Sequence, residues 1–174
     1  MQIVLTTPII QRLRRELRRA GRNEIGGLLM GEHVKDDTFR IIDISVQRSG
    51  GSQVHFVRDP AQHQTQLHDF FARTRADYAR FNYLGEWHSH PSFEPLPSDT
   101  DISTMQSIVE DPAVGVNFLV LVIPRLDQWK QMRLSAMLFR RGADPTMAAM
   151  SVEGASGSRA GNIVTAVLRK LLNR

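Results

Sequence analysis

Two histidines one residue apart, His88 and His90, stand in the segment "LGEWHSHPSFEPLPSDTDI" (84–102). In an extended strand alternate side chains point to the same side, so both imidazoles can reach one ion. Ten residues separate His90 from Asp101, and they are rich enough in Pro and Ser to turn the chain back. Zn²⁺ accepts two imidazole nitrogens and a carboxylate oxygen, and three protein ligands leave a fourth position open, as in catalytic sites. The spacing therefore predicts a catalytic zinc site.

The same segment admits a purely structural interpretation. The run "SDTD" (98–101) is typical of a helix N-terminus. Ser98 would be the N-cap, and Asp101 would close a capping box and complement the helix dipole. This interpretation explains both residues without a metal, but it does not explain why a His-x-His pair immediately precedes the cap. The conjunction favours the metal site.

A hydrolytic zinc site also needs a base, and three carboxylates compete for that role. Glu86 shares the strand face of the two histidines, and Glu94 lies in the turn that follows them. Glu24, 64 residues before the first histidine, begins "EIGGLLMG", whose small residues let another backbone lie close beside it. Residue types and spacing leave these three candidates open.

Hydrophobic periodicity predicts the elements that position these residues. Strands are predicted at 2–6, 24–34, 38–47, 81–90, 114–124 and 128–141, with a brief edge strand at 54–57. Helices are predicted at 7–21, 60–80 and 99–110, the first with Thr7 as N-cap and Pro8 at the first helical position. The order β-α-β-β-α-β-α-β-β is typical of a mixed α/β (α+β) fold, with one central sheet and helices packed on it.

Composition narrows the class of protein. The 174 residues, 41% hydrophobic and 23% charged, predict one globular domain. The absence of cysteine excludes disulfides and thiolate metal sites and fits a reducing cytoplasm. No signal peptide pattern and no apolar run of about 20 residues is present, so neither secretion nor a membrane span is predicted. We predict a domain over 1–150, and a flexible linker with an amphipathic basic helix over 151–174.

Positive charge concentrates in the predicted first helix, where five Arg fall within residues 12–19. Clustered Arg can hold phosphates, which raises nucleic-acid binding as a possible function. The net charge of +4 is modest and no aromatic residues interleave with the Arg. We interpret the cluster as the solvated face of an amphipathic helix, and we expect no nucleic-acid partner.

Taken together, Glu24 with "GGLLMG", then "HSHP" and "SDTD", resembles the JAMM motif of the JAB1/MPN/Mov34 metalloprotease family. That motif reads Glu, a long gap, His-x-His, ten residues, Asp, and every part has its counterpart here. The resemblance extends over residues 1 to about 141, and the compact chain looks most like stand-alone bacterial JAB proteins. It implies the cytidine-deaminase-like MPN fold, with a mostly antiparallel central sheet flanked by helices.

The resemblance also implies a role for each motif residue. His88, His90 and Asp101 would be the ligands of one zinc ion per chain. Glu24 would be the general acid/base that carries a proton from water to the leaving amine. Ser98 would donate a hydrogen bond to the oxyanion of the tetrahedral intermediate. We expect Trp87 to point to the opposite face of the sheet and to pack in the core.

Active members of the family are isopeptidases or peptidases that act after the C-terminal glycine of a ubiquitin-like protein. The resemblance therefore implies a cytoplasmic zinc isopeptidase that deconjugates or matures such a protein. Bacterial members are often encoded beside E1- and E2-like conjugation proteins, in several cases within anti-phage defence. Two alternatives stay open: a non-catalytic MPN scaffold, and a hydrolase acting on the C-terminal adduct of a sulfur-carrier protein.

Overall fold

The computed structural model describes residues 1–52, 56 and 58–153. Within these residues the chain forms helices and strands in the following order: β1 (Gln2–Leu5), α1 (Thr7–Ala20), β2 (Gly26–Lys35), β3 (Thr38–Ile44), α2 (Ala61–Arg73), β4 (Phe81–His88), α3 (Asp99–Glu110), β5 (Phe118–Leu126), β6 (Met132–Arg140), β7 (Ala143–Met147) and β8 (Ala149–Val152).

The strands form one sheet in the order β7-β6-β5-β4-β2-β3-β1-β8. Four pairings are antiparallel, namely β2 with β3 and β4, and β6 with β5 and β7. The pairings of β1 with β3 and β8, and of β4 with β5, are parallel. The central strands β4 and β2 lie side by side, which brings the two halves of the predicted motif to the middle of the sheet.

Each face of the sheet carries its own apolar cluster, because side chains along a strand alternate. On β5, Val120 and Val122 pack with the helix α1, whereas Leu119 and Leu121 pack with the helix α3. Trp87 of β4 is fully buried in the α1 cluster, as predicted. The neighbours of Trp87 on β4 therefore face the α3 side, where the predicted site lies.

The predicted mixed α/β fold with helices around a central sheet is confirmed, and two predictions about helix ends are wrong. The N-cap of α1 is Thr6 rather than Thr7, which moves Pro8 to the second helical position. The helix α2 ends at Arg73 rather than near residue 80, because Arg75 and Ala76 adopt a left-handed backbone that a helix cannot continue.

The strands β7 and β8 were not predicted. β7 is an edge strand that contains a proline, and β8 has four residues, so neither gives a strong period-two signal. The predicted division between residues 150 and 151 falls inside β8, which runs to Val152.

Two predicted elements fall outside the described residues. One is the edge strand at 54–57, except for Phe56, which forms an isolated bridge with Gly51. The other is the linker and basic helix from residue 154 onward. Among the helices that the structure describes, none is long and apolar enough to cross a bilayer.

Candidate metal centre

Three predicted ligand side chains converge at the end of β4. His88 is the last residue of that strand, and both histidines are buried on the α3 side of the sheet. The two Nε2 atoms lie 3.2 Å apart. Asp101 Oδ1 lies 3.3 Å from Nε2 of His88, and Asp101 Oδ2 lies 3.6 Å from Nε2 of His90. In the described part of the chain, this is the one group of His, Asp and Glu side chains whose geometry suits a metal ion.

The ligand atoms lie at distances that zinc requires. A tetrahedral zinc with bonds of about 2.0–2.1 Å holds its ligand atoms about 3.3–3.4 Å apart, close to the 3.2 Å between the two Nε2 atoms and the 3.3 Å from His88 Nε2 to Asp101 Oδ1. His90 Nδ1 lies 3.3 Å from the carbonyl oxygen of Glu94, a bond that fixes Nδ1 as the donor and leaves Nε2 free to ligate. The residues present therefore fit a zinc ion bound by His88, His90 and Asp101.

The electrostatics of the site favour the protonation states that a metal needs. Burial, followed by the charge of His88, lowers the pKa of His90 below its usual value, which keeps the ring neutral. Burial alone would raise the pKa of Asp101. Hydrogen bonding and charge from His88, together with two hydrogen bonds from Ser98, hold that pKa well below its usual value, so the carboxylate stays ionised.

The first turn of α3 holds Asp101 rigidly. Ser98 is the N-cap, and its hydroxyl accepts a hydrogen bond from the Asp101 amide at 3.2 Å. In return, Asp101 Oδ2 accepts bonds from the Ser98 amide and the Ser98 hydroxyl, both at 2.7 Å. This reciprocal capping box occupies Oδ2 and leaves Oδ1 for an ion. The structural and metal interpretations of "SDTD" are therefore compatible.

Glu24 reaches the same cleft through the pairing of β2 with β4. Gly26 is in register with His88, and the next pair outward is Ile25 with Ser89. Ser89 donates its amide to Ile25 O at 2.8 Å, and its hydroxyl accepts from Ile25 N at 3.1 Å. These bonds fix the backbone one residue from Glu24 against the His-Ser-His segment. Glu24 is buried and lines the cleft beside the three ligands.

The other two candidate bases are paired with arginines. Glu86 lies on the site face of β4 and lines the same cleft, but its carboxylate is 2.6 Å from Nε of Arg58 and accepts a bond from the Tyr83 hydroxyl at 3.4 Å. Glu94 is exposed, and its carboxylate faces Arg125 at 3.7 Å, outside the triangle of ligands. Spacing alone had made Glu86 the nearest candidate, and no residue-type signal predicts its pairing with Arg58.

The cleft around the ligands has a volume of about 680 Å³, which admits an extended peptide segment rather than a folded domain. Aromatic rings flank the two histidines: Phe56 stacks 6.3 Å from His88, and Phe93 meets His90 edge-on at 6.4 Å. The described lining residues include one guanidinium, that of Arg58. The sequence does not single out these three residues: Arg58 and Phe93 lie in loops, and Phe56 lies in a segment predicted only as a brief edge strand.

Comparison with protein families gives one match that spans most of the chain. The family described as prokaryotic homologs of the JAB domain matches residues 6–137. The matched range contains every predicted site residue and ends within β6.

Several characterised proteins are similar in sequence. A protein of Enterobacter hormaechei named CD-NTase/cGAS isopeptidase is 31% identical over 146 residues, which are 82% of this chain and 78% of that protein. A Vibrio cholerae protein of the same name is 34% identical over 61% of this chain and 65% of its own length. The Saccharomyces cerevisiae ubiquitin carboxyl-terminal hydrolase RPN11 is 28% identical over 57% of this chain, but over only 35% of its own length.

A solved structure supports the fold. The solution structure of a Desulfitobacterium hafniense protein superposes with a TM-score of 0.63, covering 88% of this chain and 94% of that one, at 22% identity. At that level of identity the likeness concerns the architecture alone.

Proposed function

Because the chain belongs to the family of prokaryotic homologs of the JAB domain, we propose that it is a zinc-dependent isopeptidase of the JAMM type. It hydrolyses the bond between the C-terminal residue of one protein and a lysine amine of another. The observation that carries the proposal is the convergence of His88, His90 and Asp101, with separations of 3.2 Å between the two Nε2 atoms and 3.3 Å from His88 Nε2 to Asp101 Oδ1, and with Glu24 in the same cleft.

His88 and His90 supply two neutral nitrogens and Asp101 one anionic oxygen to the metal. When bound, zinc would polarise the scissile carbonyl and lower the pKa of a water molecule to about 7. The chain itself fixes the ligands: the capping box holds Asp101, and the carbonyl oxygen of Glu94 orients the ring of His90.

Glu24 acts as the general acid/base. It takes a proton from the attacking water as the oxygen adds to the carbonyl carbon, and returns that proton to the lysine nitrogen as the C–N bond breaks. The products are a C-terminal carboxylate and a free amine. Burial suits the role, since it keeps bulk water away from the proton that is transferred.

In this proposal Ser98 stabilises the oxyanion by donating a hydrogen bond from its hydroxyl. The hydrogen bonds that Ser98 makes to Asp101 determine how the hydroxyl becomes available. Its hydroxyl proton points to Asp101 Oδ2 at 2.7 Å, so it must rotate from Asp101 toward the oxyanion as negative charge develops. The Ser98 amide keeps its own bond to Oδ2 during this rotation. One donor of this kind is worth about 3–4 kcal/mol of transition-state stabilisation.

Two classes of protein are candidates for the released C-terminal tail. One is a ubiquitin-like protein ending in glycine, which the motif implies. The other is a CD-NTase enzyme, which the names of the bacterial relatives suggest. Both fit a cytoplasmic deconjugase that works beside E1- and E2-like proteins in anti-phage defence. An extended tail would enter the cleft as an added strand, with backbone hydrogen bonds supplying affinity.

The direct test is cleavage of defined conjugates by the purified chain loaded with one zinc per molecule. Two substrates, a ubiquitin-like protein and a CD-NTase, each isopeptide-linked to a lysine of a carrier, are followed by intact mass spectrometry. We expect one of the two conjugates to be cleaved, releasing a protein with a free C-terminal carboxylate. Chelation of the zinc should abolish this cleavage. We expect Glu24→Gln to bind zinc normally and to cleave about 10²–10⁴-fold more slowly, the usual range for a general acid/base.

Glu86→Gln and Glu94→Gln are the matched controls, since each removes one of the competing carboxylates. Both variants should keep most of the parent rate. A rate lost in Glu86→Gln but kept in Glu24→Gln would make the assignment of the base wrong. A parent protein that binds zinc and cleaves neither conjugate would favour the scaffold alternative or the sulfur-carrier substrate.

A further inference from the structure

We propose that the buried His63 is a positioning residue for Glu24. It acts through hydrogen bonds to Ser45 and Gln47, and we call these three residues the buried relay. The inference rests on the proposed role of Glu24 as the base. His63 lies on α2, contacts no part of the metal triangle and carries none of the family motif, so the proposed mechanism does not otherwise use it.

The relay begins at Ser45, where the hydrogen bonds between the β2 and β3 segments depart from the regular antiparallel pattern. Ser45 N donates to Leu28 O at 3.1 Å, as an antiparallel pair requires. The return bond does not use the Ser45 carbonyl: Leu28 N donates instead to the Ser45 hydroxyl, at 2.7 Å. The freed carbonyl accepts Nε1 of Trp87 at 2.9 Å. The Ser45 hydroxyl oxygen thus takes the place of a backbone carbonyl in the pairing. The pairing holds only if the Ser45 side chain keeps one orientation.

His63 fixes that hydroxyl. Gln47 Oε1 is an acceptor, because the Asp59 amide donates to it at 2.7 Å, so Nε2 of His63, 3.2 Å away, carries a proton and donates to it. Burial, and then the charge of Arg58, lower the pKa of His63 and favour the neutral ring. In the neutral ring Nδ1 is the acceptor, and it takes the proton of the Ser45 hydroxyl, 2.7 Å away, whose oxygen accepts from Leu28 N.

Gln47 carries the relay back to the site. The backbone amide of Gln47 donates to Gly26 O at 2.7 Å, and its backbone carbonyl oxygen accepts from Gly26 N at 3.4 Å. Five residues beyond Gln47, Ser52 O accepts the backbone amide of Glu24 at 2.7 Å. The segment that presents Glu24 is thus held on one flank by β4 and the His-Ser-His segment, and on the other by Gln47 of the relay and by Ser52.

All three relay residues are buried, with 0%, 2% and 1% of Ser45, Gln47 and His63 exposed. Removing His63 leaves the proton of the buried Ser45 hydroxyl without an acceptor and takes one donor from Gln47 Oε1, and we expect the segment 45–52 to shift in response. A displacement of about 1 Å in a catalytic group can cost about 10²-fold in rate. Loss of the relay should therefore lower kcat while the ligands, held by β4 and α3, keep the metal.

The experiment compares His63→Leu, His63→Asn and His63→Gln in the full chain. Leucine removes both ring bonds. Asparagine keeps an acceptor near the position of Nδ1, and glutamine keeps a donor near the position of Nε2. His68→Leu is the matched control, since His68 lies on the same helix with an 84% exposed side chain. Zinc content, kcat, KM and amide hydrogen exchange are measured for each.

For His63→Leu we expect one zinc per chain, an unchanged KM and a kcat lower by about 10²-fold. Asparagine and glutamine should each restore part of the rate. Amide exchange should quicken at Glu24 and Leu28, on the relay flank, but not at Ile25, whose amide bonds to Ser89 on the β4 flank. If His63→Leu does not fold, the asparagine and glutamine variants carry the same comparison.

A parent-like kcat in a folded His63→Leu, or a change confined to KM or to zinc content, would overturn the inference. So would unchanged exchange at Glu24 and Leu28. Because exchange needs no substrate, this arm tests the positioning even if the parent cleaves neither conjugate, an outcome that would count against the proposed function alone.

Discussion

At the scale of single residues, Asp101 shows how one side chain serves folding and chemistry together. Its two oxygens are divided: Oδ2 closes the capping box of α3, and Oδ1 faces His88. A helix N-terminus favours an anion there, which stabilises the charged form that a metal requires. The cap therefore lowers the cost of holding a ligand carboxylate half-buried.

The acid sensitivity of the fold should depend on His63. Burial, and then the charge of Arg58, lower the pKa of this residue below its usual value of about 6.5, whereas nearby Asp59 acts in the opposite direction. The unfolded chain thus binds the proton more tightly than the folded chain. The stability that neutral His63 contributes is complete above pH 6.5 and is lost as the pH falls below that value.

Thermal unfolding of the parent and of His63→Gln between pH 8 and pH 5 measures this contribution. Zinc is chelated in both proteins, so that the metal site contributes equally to the two curves. We expect the Tm of the parent to fall more steeply on acidification than that of the variant. Parallel curves would mean that His63 does not contribute to acid sensitivity.

Residue spacing predicted the convergence of His88, His90 and Asp101, because all three lie within one strand end and one helix start. It did not choose between Glu24 and Glu86. That choice depends on partners brought from elsewhere in the chain, such as Arg58, whose approach to Glu86 has no local signal. The motif resemblance pointed to Glu24, and the structure brings Glu24 to the cleft, while its catalytic role stays a prediction.

At the scale of elements, β4 depends on a glycine at its centre. Gly85 has φ of +138°, and a Cβ there would lie 2.0 Å from the carbonyl oxygen of Val120 on β5. We expect Gly85→Ala to lower the free energy of unfolding by more than about 2 kcal/mol, because backbone strain and overpacking combine. Urea denaturation measures the loss.

Gly142→Ala is the matched control for that prediction. Gly142 also has a positive φ, +67°, but a Cβ there meets no atom within 4 Å. The Gly142→Ala variant should therefore lose only about 1–2 kcal/mol of the free energy of unfolding, the cost of a left-handed backbone at a residue with a Cβ. Equal losses in the two variants would mean that the contact with β5 is not what requires glycine at position 85.

Element prediction succeeded where periodicity was strong and failed where tertiary contacts decide. The apolar run of β5 and the amphipathic α1 were predicted in kind, within a few residues at their ends. The short β8 forms because β1 offers it a parallel edge, from Gln2 with Ala149 to Leu5 with Val152. No property of "AMSV" alone predicts that pairing.

At the scale of the whole molecule, the two ends of the described chain meet at one edge of the sheet. Met150 of β8 is buried in the α1 cluster, and the Glu153 amide donates to Leu5 O at 2.9 Å. We expect a chain ended after Glu153 to keep the Tm and the cleavage rate of the parent. One ended after Ala148 should melt lower and aggregate, since it exposes the edge of β1.

Size-exclusion chromatography and thermal melts of the two shortened chains test this expectation. Loss of zinc binding or cleavage in the chain ended after Glu153 would contradict the predicted division into a domain and a separate C-terminal segment. A chain ended after Ala148 that behaves like the parent would mean that β8 is dispensable.

The ligands of the metal triangle span only 14 residues of the chain, whereas Glu24 comes from 64 residues before the first of them. Assembly of the two sets depends on the register of β2 against β4. If the three ligands hold an ion as proposed, zinc content reports only on the packing of β4 against α3. Cleavage reports in addition on the register of β2 against β4, so the two assays together distinguish a fault in one half of the sheet from a fault in the other.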